Sequence, residues 1–158
     1  MSGAAFRTSA VRVQYGALQW RATTRGVEIL LITTQTTRRW IIPKGWPIPG
    51  LRPSECAAHE VFEEAGVEGE ISNRPIGTFS YEKRRKSGDA VACKVEVFTL
   101  EVLRQRRKWP EKGSRKTRWC SVKEALGHVS DPGLAKLIAR FGRAADNAEL
   151  EPAHFASA

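Results

Sequence analysis

The segment PKGWPIPGLRPSECAAHEVFEEAGVE, residues 43–68, constrains the fold more than any other part of the chain. Pro53 and Ser54 have the character of a helix entry and Gly66 of its exit, so a short helix is expected over about 54–65. At about 100° per residue, Glu60, Glu63 and Glu64 share one arc, while Ala57, Ala58, Val61, Phe62 and Ala65 share another that can face a core. The acidic arc is costly in isolation. Like charges at i,i+3 and i,i+4 destabilise by a few tenths of a kcal/mol per pair, and anions in the last turn oppose the helix dipole by about 0.3–1 kcal/mol each. No Lys or Arg within the helix offsets them. A hard divalent cation would relieve both penalties, because Mg²⁺ is held by a few carboxylates, waters and substrate phosphate oxygens.

The same segment resembles the signature of the Nudix hydrolase family, G-x5-E-x7-R-E-U-x-E-E-x-G-U with U a bulky aliphatic. The match runs from Gly45 through Glu60, Val61, Glu63, Glu64 and Gly66 to Val67, seven of nine fixed positions. Leu51 stands where the pattern has its first Glu and His59 where it has Arg. Those two residues commonly help to orient the box, and losing both together leaves no unpaired charge, which is cheaper than losing one. His59 is then either a neutral structural residue or, when protonated, a cation paired with a neighbouring Glu.

The resemblance implies an α/β fold, an α/β/α sandwich on a mixed sheet, and a metal site for Mg²⁺ or Mn²⁺ built from Glu60, Glu63 and Glu64 with the backbone carbonyl of Lys44. The three Glu are the expected catalytic residues, and Glu60 is the first choice for a ligand that doubles as general base. A further carboxylate from outside the box is left open among Glu82, Glu96 and Glu101.

The pattern of the rest agrees with one domain. A chain of 158 residues supports a single sizeable core. Strands are expected over about 10–20, 27–34, 40–42, 76–81, 90–103 and 117–120. Ser121 and Glu124 form a capping box for one helix, and Asp131 with Pro132 opens another whose stripe is Leu134, Leu137, Ile138 and Phe141. The expected domain is 10–142, flanked by flexible tails at 1–9 and 143–158. No apolar run reaches the ~18 residues of a membrane span, the first residues lack a signal-peptide core, and Cys56, Cys93 and Cys120 are scattered. These features lead us to expect a cytoplasmic protein with no membrane partner and no disulfide framework. Cys56 reads as a small residue near the site.

The net charge of +9 is concentrated. Lys83, Arg84, Arg85 and Lys86 form one basic run, expected as a loop between two strands, and Arg104, Arg106, Arg107, Lys108, Lys112, Arg115, Lys116 and Arg118 crowd a second loop. A strongly basic protein with a phosphate-cutting motif focuses polyanions toward its site. RRWIIPKG before the box and WPEKGSRKTRWCSVKEA after it resemble the diphosphoinositol polyphosphate phosphohydrolases and diadenosine polyphosphate hydrolases. That resemblance implies phosphate contacts from Arg38, Arg39, Lys44, Lys83, Arg84, Arg85, Arg115, Lys116 and Arg118, with Arg suited to bidentate pairing. Trp40 and Trp46 bracket the PKG segment and are each either core residues or stacking platforms; an inositol ring offers nothing to stack on, so their role separates the two substrates.

The expected reaction is metal-assisted hydrolysis of a phosphoanhydride in a polyphosphorylated small molecule. Two alternatives stand beside it: a Nudix hydrolase for another substrate (ADP-ribose, a nucleotide sugar, an oxidised nucleotide or an RNA 5′ end) and a noncatalytic ligand sensor, suggested by Leu51 and His59. The basic loops can grip nucleic acid through its phosphates, but aromatic side chains are not interleaved with the charge as a stacking platform requires.

Overall fold

The computed structural model describes residues 10–147, so the expected tail at 1–9 and most of that at 143–158 lie outside the described residues. The first strand, β1 (Arg12–Thr23), turns back into antiparallel β2 (Gly26–Thr33). Two short strands follow, β3 (Trp40–Ile41) and β4 (Lys44–Gly45), and lead into helix α1 (Pro53–Ala65). Next come β5 (Val67–Ile71), β6 (Gly77–Arg84), the long β7 (Ala90–Gln105) and β8 (Thr117–Ser121), then α2 (Val122–His128) and α3 (Pro132–Asp146). The sheet runs β3-β2-β1-β7-β5, with β4 also on β1, β6 on β7 and β8 on β2. It is mixed because β1 and β7 are parallel, whereas the other pairings are antiparallel.

Both faces of the sheet are covered, which is why its central strands read as nearly continuous apolar runs. Period-2 alternation sends Ala17, Leu30, Ile32, Phe98 and Leu100 to one face, where they meet Ala57, Val61 and Ala65 of α1. Leu18, Ile29, Leu31, Val95 and Val97 go to the other and meet Leu134, Leu137, Ile138 and Phe141 of α3. The predicted α/β sandwich is therefore present, with α1 alone on the face that carries the box.

Three details differ from the sequence reading. Residues 67–71 pair with β7 as a strand even though two acidic residues and a glycine break their apolar pattern. The glycine is required at the bulge there, where a Cβ on Gly69 would run into the carbonyl oxygen of Glu101 and come within 2.8 Å of Leu100. α3 continues past the expected domain end at 142 to Asp146. Gly142 is a point of close approach rather than a stop, since a Cβ there would lie 2.8 Å from Val122. Lys83 and Arg84, expected in a loop, close strand β6.

Gly66 ends α1 as expected, with left-handed φ of 69° and its N–H donated to the Phe62 carbonyl at 2.9 Å. It serves a second purpose, because the ring of Trp109 covers it and an added Cβ would come within 2.5 Å of ring atom Cδ2. Gly66→Ala combines a strained φ with a ring clash and is expected to cost about 1–3 kcal/mol. A denaturant midpoint unchanged from wild type would refute that packing.

Candidate active site

The β1–β4 pairing lays Lys44 and Gly45 beneath the last turns of α1. Because Gly45 has no side chain, the Glu60 carboxylate packs directly on its backbone; a Cβ there would lie 2.6 Å from either carboxylate oxygen. The Glu64 carboxyl lies one turn further along α1, and the two groups perturb one another. Glu64 is 5% exposed and carries the larger penalty. Burial, then the charges of Glu60 and Glu111, push its carboxyl up to about 8 against the opposing pull of Arg115 and Lys44. Burial also raises Glu60 above the ordinary carboxylate value. Lys44 is displaced in the opposite sense: burial, assisted by Lys83, Arg115 and Arg39, lowers its amine to about 8. Its ammonium lies over the Tyr81 ring at 4.7 Å, and the Tyr81 hydroxyl donates to Gln14 at 2.6 Å.

These groups line a cavity of about 800 Å³. Of the residues expected to hold phosphate, Arg39, Lys44, Lys83, Arg84 and Arg115 line it, whereas Arg38, Arg85, Lys116 and Arg118 do not. Arg38 has a left-handed φ of 56° and reaches the Ser114 carbonyl at 3.4 Å. Arg85 sits in the β6–β7 hairpin, where its N–H meets the Asp89 carbonyl. Lys116 is tied through its backbone N–H to Thr33 Oγ1 at 3.0 Å, and Arg118 is opposite Leu31 in the sheet.

The acidic arc is divided. Glu60 and Glu64 converge on the cavity, while Glu63 is turned toward His59, whose Nε2 is 4.0 Å away. Among the described residues, no three His, Cys, Asp or Glu side chains converge tightly enough to cage a metal. The donors are nonetheless suited to a hard cation: two neighbouring carboxylates, Glu64 deeply buried and Glu60 pressed against a glycine whose missing Cβ leaves room for it. His59 lines the cavity, and the Leu51 side chain is 40% exposed.

The two bracketing tryptophans have opposite fates. Trp40 packs against the core and the His128 ring, with centroids 5.8 Å apart. Trp46 stays 37% exposed on the cavity wall, with Arg12 over its ring at 5.1 Å and Lys83 at 5.8 Å. Cys56 is buried and structural: its sulfur accepts from the Ile48 N–H at 3.4 Å and fastens the 46–51 loop.

Sequence reasoning missed the Thr34–Thr37 loop, which lines the cavity beside Arg39. It also missed Glu111, a carboxylate outside the box that acts on both Glu60 and Glu64. Of the outside carboxylates that had been left open, Glu82 lines the cavity; Glu96 and Glu101 lie in β7 opposite Tyr15 and Trp20. The i,i+4 spacing of Glu111 and Arg115 was the one local sign of a pair there.

A mixed sheet with a carboxylate-bearing helix beneath a cation-lined cavity defines an α/β domain equipped to handle phosphate. Residues 12–141 match the NUDIX domain, and the chain belongs to that family. Among curated relatives, Nudix hydrolase 13, mitochondrial, of Arabidopsis thaliana is 33% identical over 105 residues, 63% of this chain and 52% of that protein. Human diphosphoinositol polyphosphate phosphohydrolase 3-beta is 33% identical over 102 residues, 63% of this chain and 58% of that protein. The chain thus spans about half the length of such relatives. A C. elegans Ap4A hydrolase in a binary complex has the same fold at a TM-score of 0.65 and 20% identity, covering 89% of this chain and 100% of that one. Among the described residues no helix is long and apolar enough to cross a membrane.

Proposed function

We propose that this chain is a divalent-metal-dependent pyrophosphohydrolase that cleaves a phosphoanhydride in a highly phosphorylated, non-aromatic small molecule, with a diphosphoinositol polyphosphate as the best-fitting class. The observation that carries this reading is the cavity itself, where Glu60 and Glu64 face Arg39, Lys44, Lys83 and Arg84 across one space. Mg²⁺ or Mn²⁺ held by Glu60, Glu64 and the Lys44 carbonyl would supply charge neutralisation at phosphoryl oxygens and a more acidic water, with Glu63, turned toward His59, left beside the site. Arg39 and Arg84 offer forked donors for phosphate oxygens, and Lys44 and Lys83 offer point charges. Half-buried Glu60, which lines the same space as Glu64, is the carboxylate we assign to take the proton of an attacking water.

The aromatic side chains favour the inositol class over diadenosine polyphosphates. Trp40 is partly buried against the core, and both Trp46 and Tyr81 carry cations over their rings. A base that stacked there would have to displace them. The three thiols, all free and buried, suit the reducing cytoplasmic setting expected from the sequence.

The test is Mg²⁺-dependent turnover of diphosphoinositol pentakisphosphate, diadenosine polyphosphates, ADP-ribose and nucleoside triphosphates. The first should have the highest kcat/KM. Trp46→Ala should change that value by less than about threefold, whereas loss of a stacked base would cost about 1–3 kcal/mol, roughly 5- to 150-fold. A preferred dinucleotide substrate with a large Trp46→Ala penalty would replace the inositol reading.

A further inference from the structure

We propose that Arg115 is a positioning residue, which orients Glu64 for metal through a fixed three-point anchor and does not itself grip substrate phosphate. The inference rests on the reading of Glu60 and Glu64 as metal ligands. Although Arg115 lines the cavity, its side chain is only 12% exposed and each of its three nitrogens already faces a protein oxygen. Nε meets Glu111 Oε1 at 2.9 Å, Nη1 donates to the Thr33 carbonyl at 3.0 Å, and Nη2 lies 3.5 Å from Glu64 Oε2. A guanidinium spread over three directions has little capacity left for a bidentate phosphate.

The anchor is itself fixed at both ends. Glu111 donates its backbone N–H to the Glu63 carbonyl at 3.0 Å, and its carboxylate also accepts from Gln35 Nε2 at 3.3 Å. Lys116, next in the chain, donates its N–H to Thr33 Oγ1 at 3.0 Å. The β7–β8 loop is therefore strapped across the end of α1 and to the end of β2, and Arg115 is the side chain it delivers to Glu64. Within the box no cation meets Glu64. Leu51 has no donor, and the carboxylate next to His59 is Glu63. The Arg115–Glu111 pair, brought from a loop about 50 residues downstream in the sequence, provides the cation and the carboxylate that positions 59 and 51 lack.

The geometry predicts consequences that separate orientation from phosphate binding. Wild-type protein, Arg115→Ala, Arg115→Lys, Glu111→Gln and the Arg115→Ala/Glu111→Gln double variant would be titrated with Mn²⁺ alone, by calorimetry or spin resonance, and then assayed for kcat and KM. Arg115→Ala should weaken Mn²⁺ at least about tenfold and lower kcat, with KM shifted less than about threefold. Arg115→Lys should not rescue, because a single ammonium cannot span three acceptors. Glu111→Gln, which leaves the fold's buried guanidinium in place, should weaken Mn²⁺ in the same direction, and the double variant should match Arg115→Ala alone, as members of one unit do. An unchanged Mn²⁺ affinity with a raised KM that Lys restores would overturn the inference in favour of phosphate binding. Tighter Mn²⁺ binding in Arg115→Ala would also overturn it, since Arg115 would then be a competitor of the metal, as would a wild-type protein that binds no Mn²⁺. If Arg115→Ala does not fold, Glu111→Gln carries the same decision. Mn²⁺ affinity needs no substrate, so weakened binding in a protein that turns over none of the panel would sink the functional reading and leave this inference standing.

Discussion

Glu64→Gln is expected to lower kcat by about two to four orders of magnitude, because it removes a charged ligand from the metal on which the reaction depends, and yet to stabilise the metal-free protein at alkaline pH. Both effects follow from one buried carboxyl. Its ordinary value of 4.5 is raised to about 8 in the fold. Below pH 4.5 the group is protonated whether the chain is folded or not, and it contributes no pH dependence. Between 4.5 and 8 the unfolded chain has released the proton and the folded one keeps it, so stability falls as pH rises; above 8 both are ionised and the full cost is present. Glutamine never ionises and removes that slope while preserving shape. Arg115 keeps its contacts to Glu111 and the Thr33 carbonyl in the variant, so no buried charge is stranded. Melting of metal-free wild type and variant should diverge steadily from pH 5 to 8.5, with the variant higher by at least about 4 °C at the top, roughly what 1 kcal/mol produces in a domain of this size. Coincident curves across that range would mean that Glu64 ionises as an ordinary surface carboxylate does.

Much of the box could be read before the fold was known, because its information is local. Pro53 and Gly66 mark the ends of α1, and Ala57, Val61 and Ala65 mark its buried stripe. The helical wheel also places Glu60, Glu63 and Glu64 on one arc, but it cannot rank them. Glu64 is buried, and Glu63 is not, because the β7–β8 loop crosses the end of α1, sets Trp109 on Gly66 and sends Arg115 to Glu64. Those contacts join residues 40 or more apart in sequence, and no periodicity encodes them. The same limit explains the tryptophans. Trp40 and Trp46 are close in sequence and chemically identical; a place in β3 against His128 commits one to the core, while the other lies past β4 on the cavity wall. The basic runs announced a polyanion, but which cations face the cavity depends on strand ends: Lys83 and Arg84 close β6 and line it, while Arg85 passes into the hairpin and does not.

Gly45→Ala should separate folding from catalysis at this site more cleanly than any change to a charged residue. Gly45 shows no positive φ, so the backbone itself accepts alanine. The obstacle is the Glu60 carboxylate, whose two oxygens would lie 2.6 Å from the new Cβ. That carboxylate is the far end of a flexible side chain on the cavity wall and can rotate away, so the stability cost should stay within about 1 kcal/mol, below the usual penalty for overpacking a rigid core. The catalytic cost should be much larger. A displacement of about 1 Å in a reacting group is enough to lose about 100-fold in rate, and the same movement takes Glu60 away from its place against β4. The expected result is a melting temperature within a few degrees of wild type, kcat lower by about 100-fold, and weaker Mn²⁺ binding. Retention of full turnover by a folded Gly45→Ala protein would show that the position of the Glu60 carboxylate against β4 is not the one used in the reaction, and the general-base role would then have to move to another carboxylate of the cavity, with Glu82 next in line.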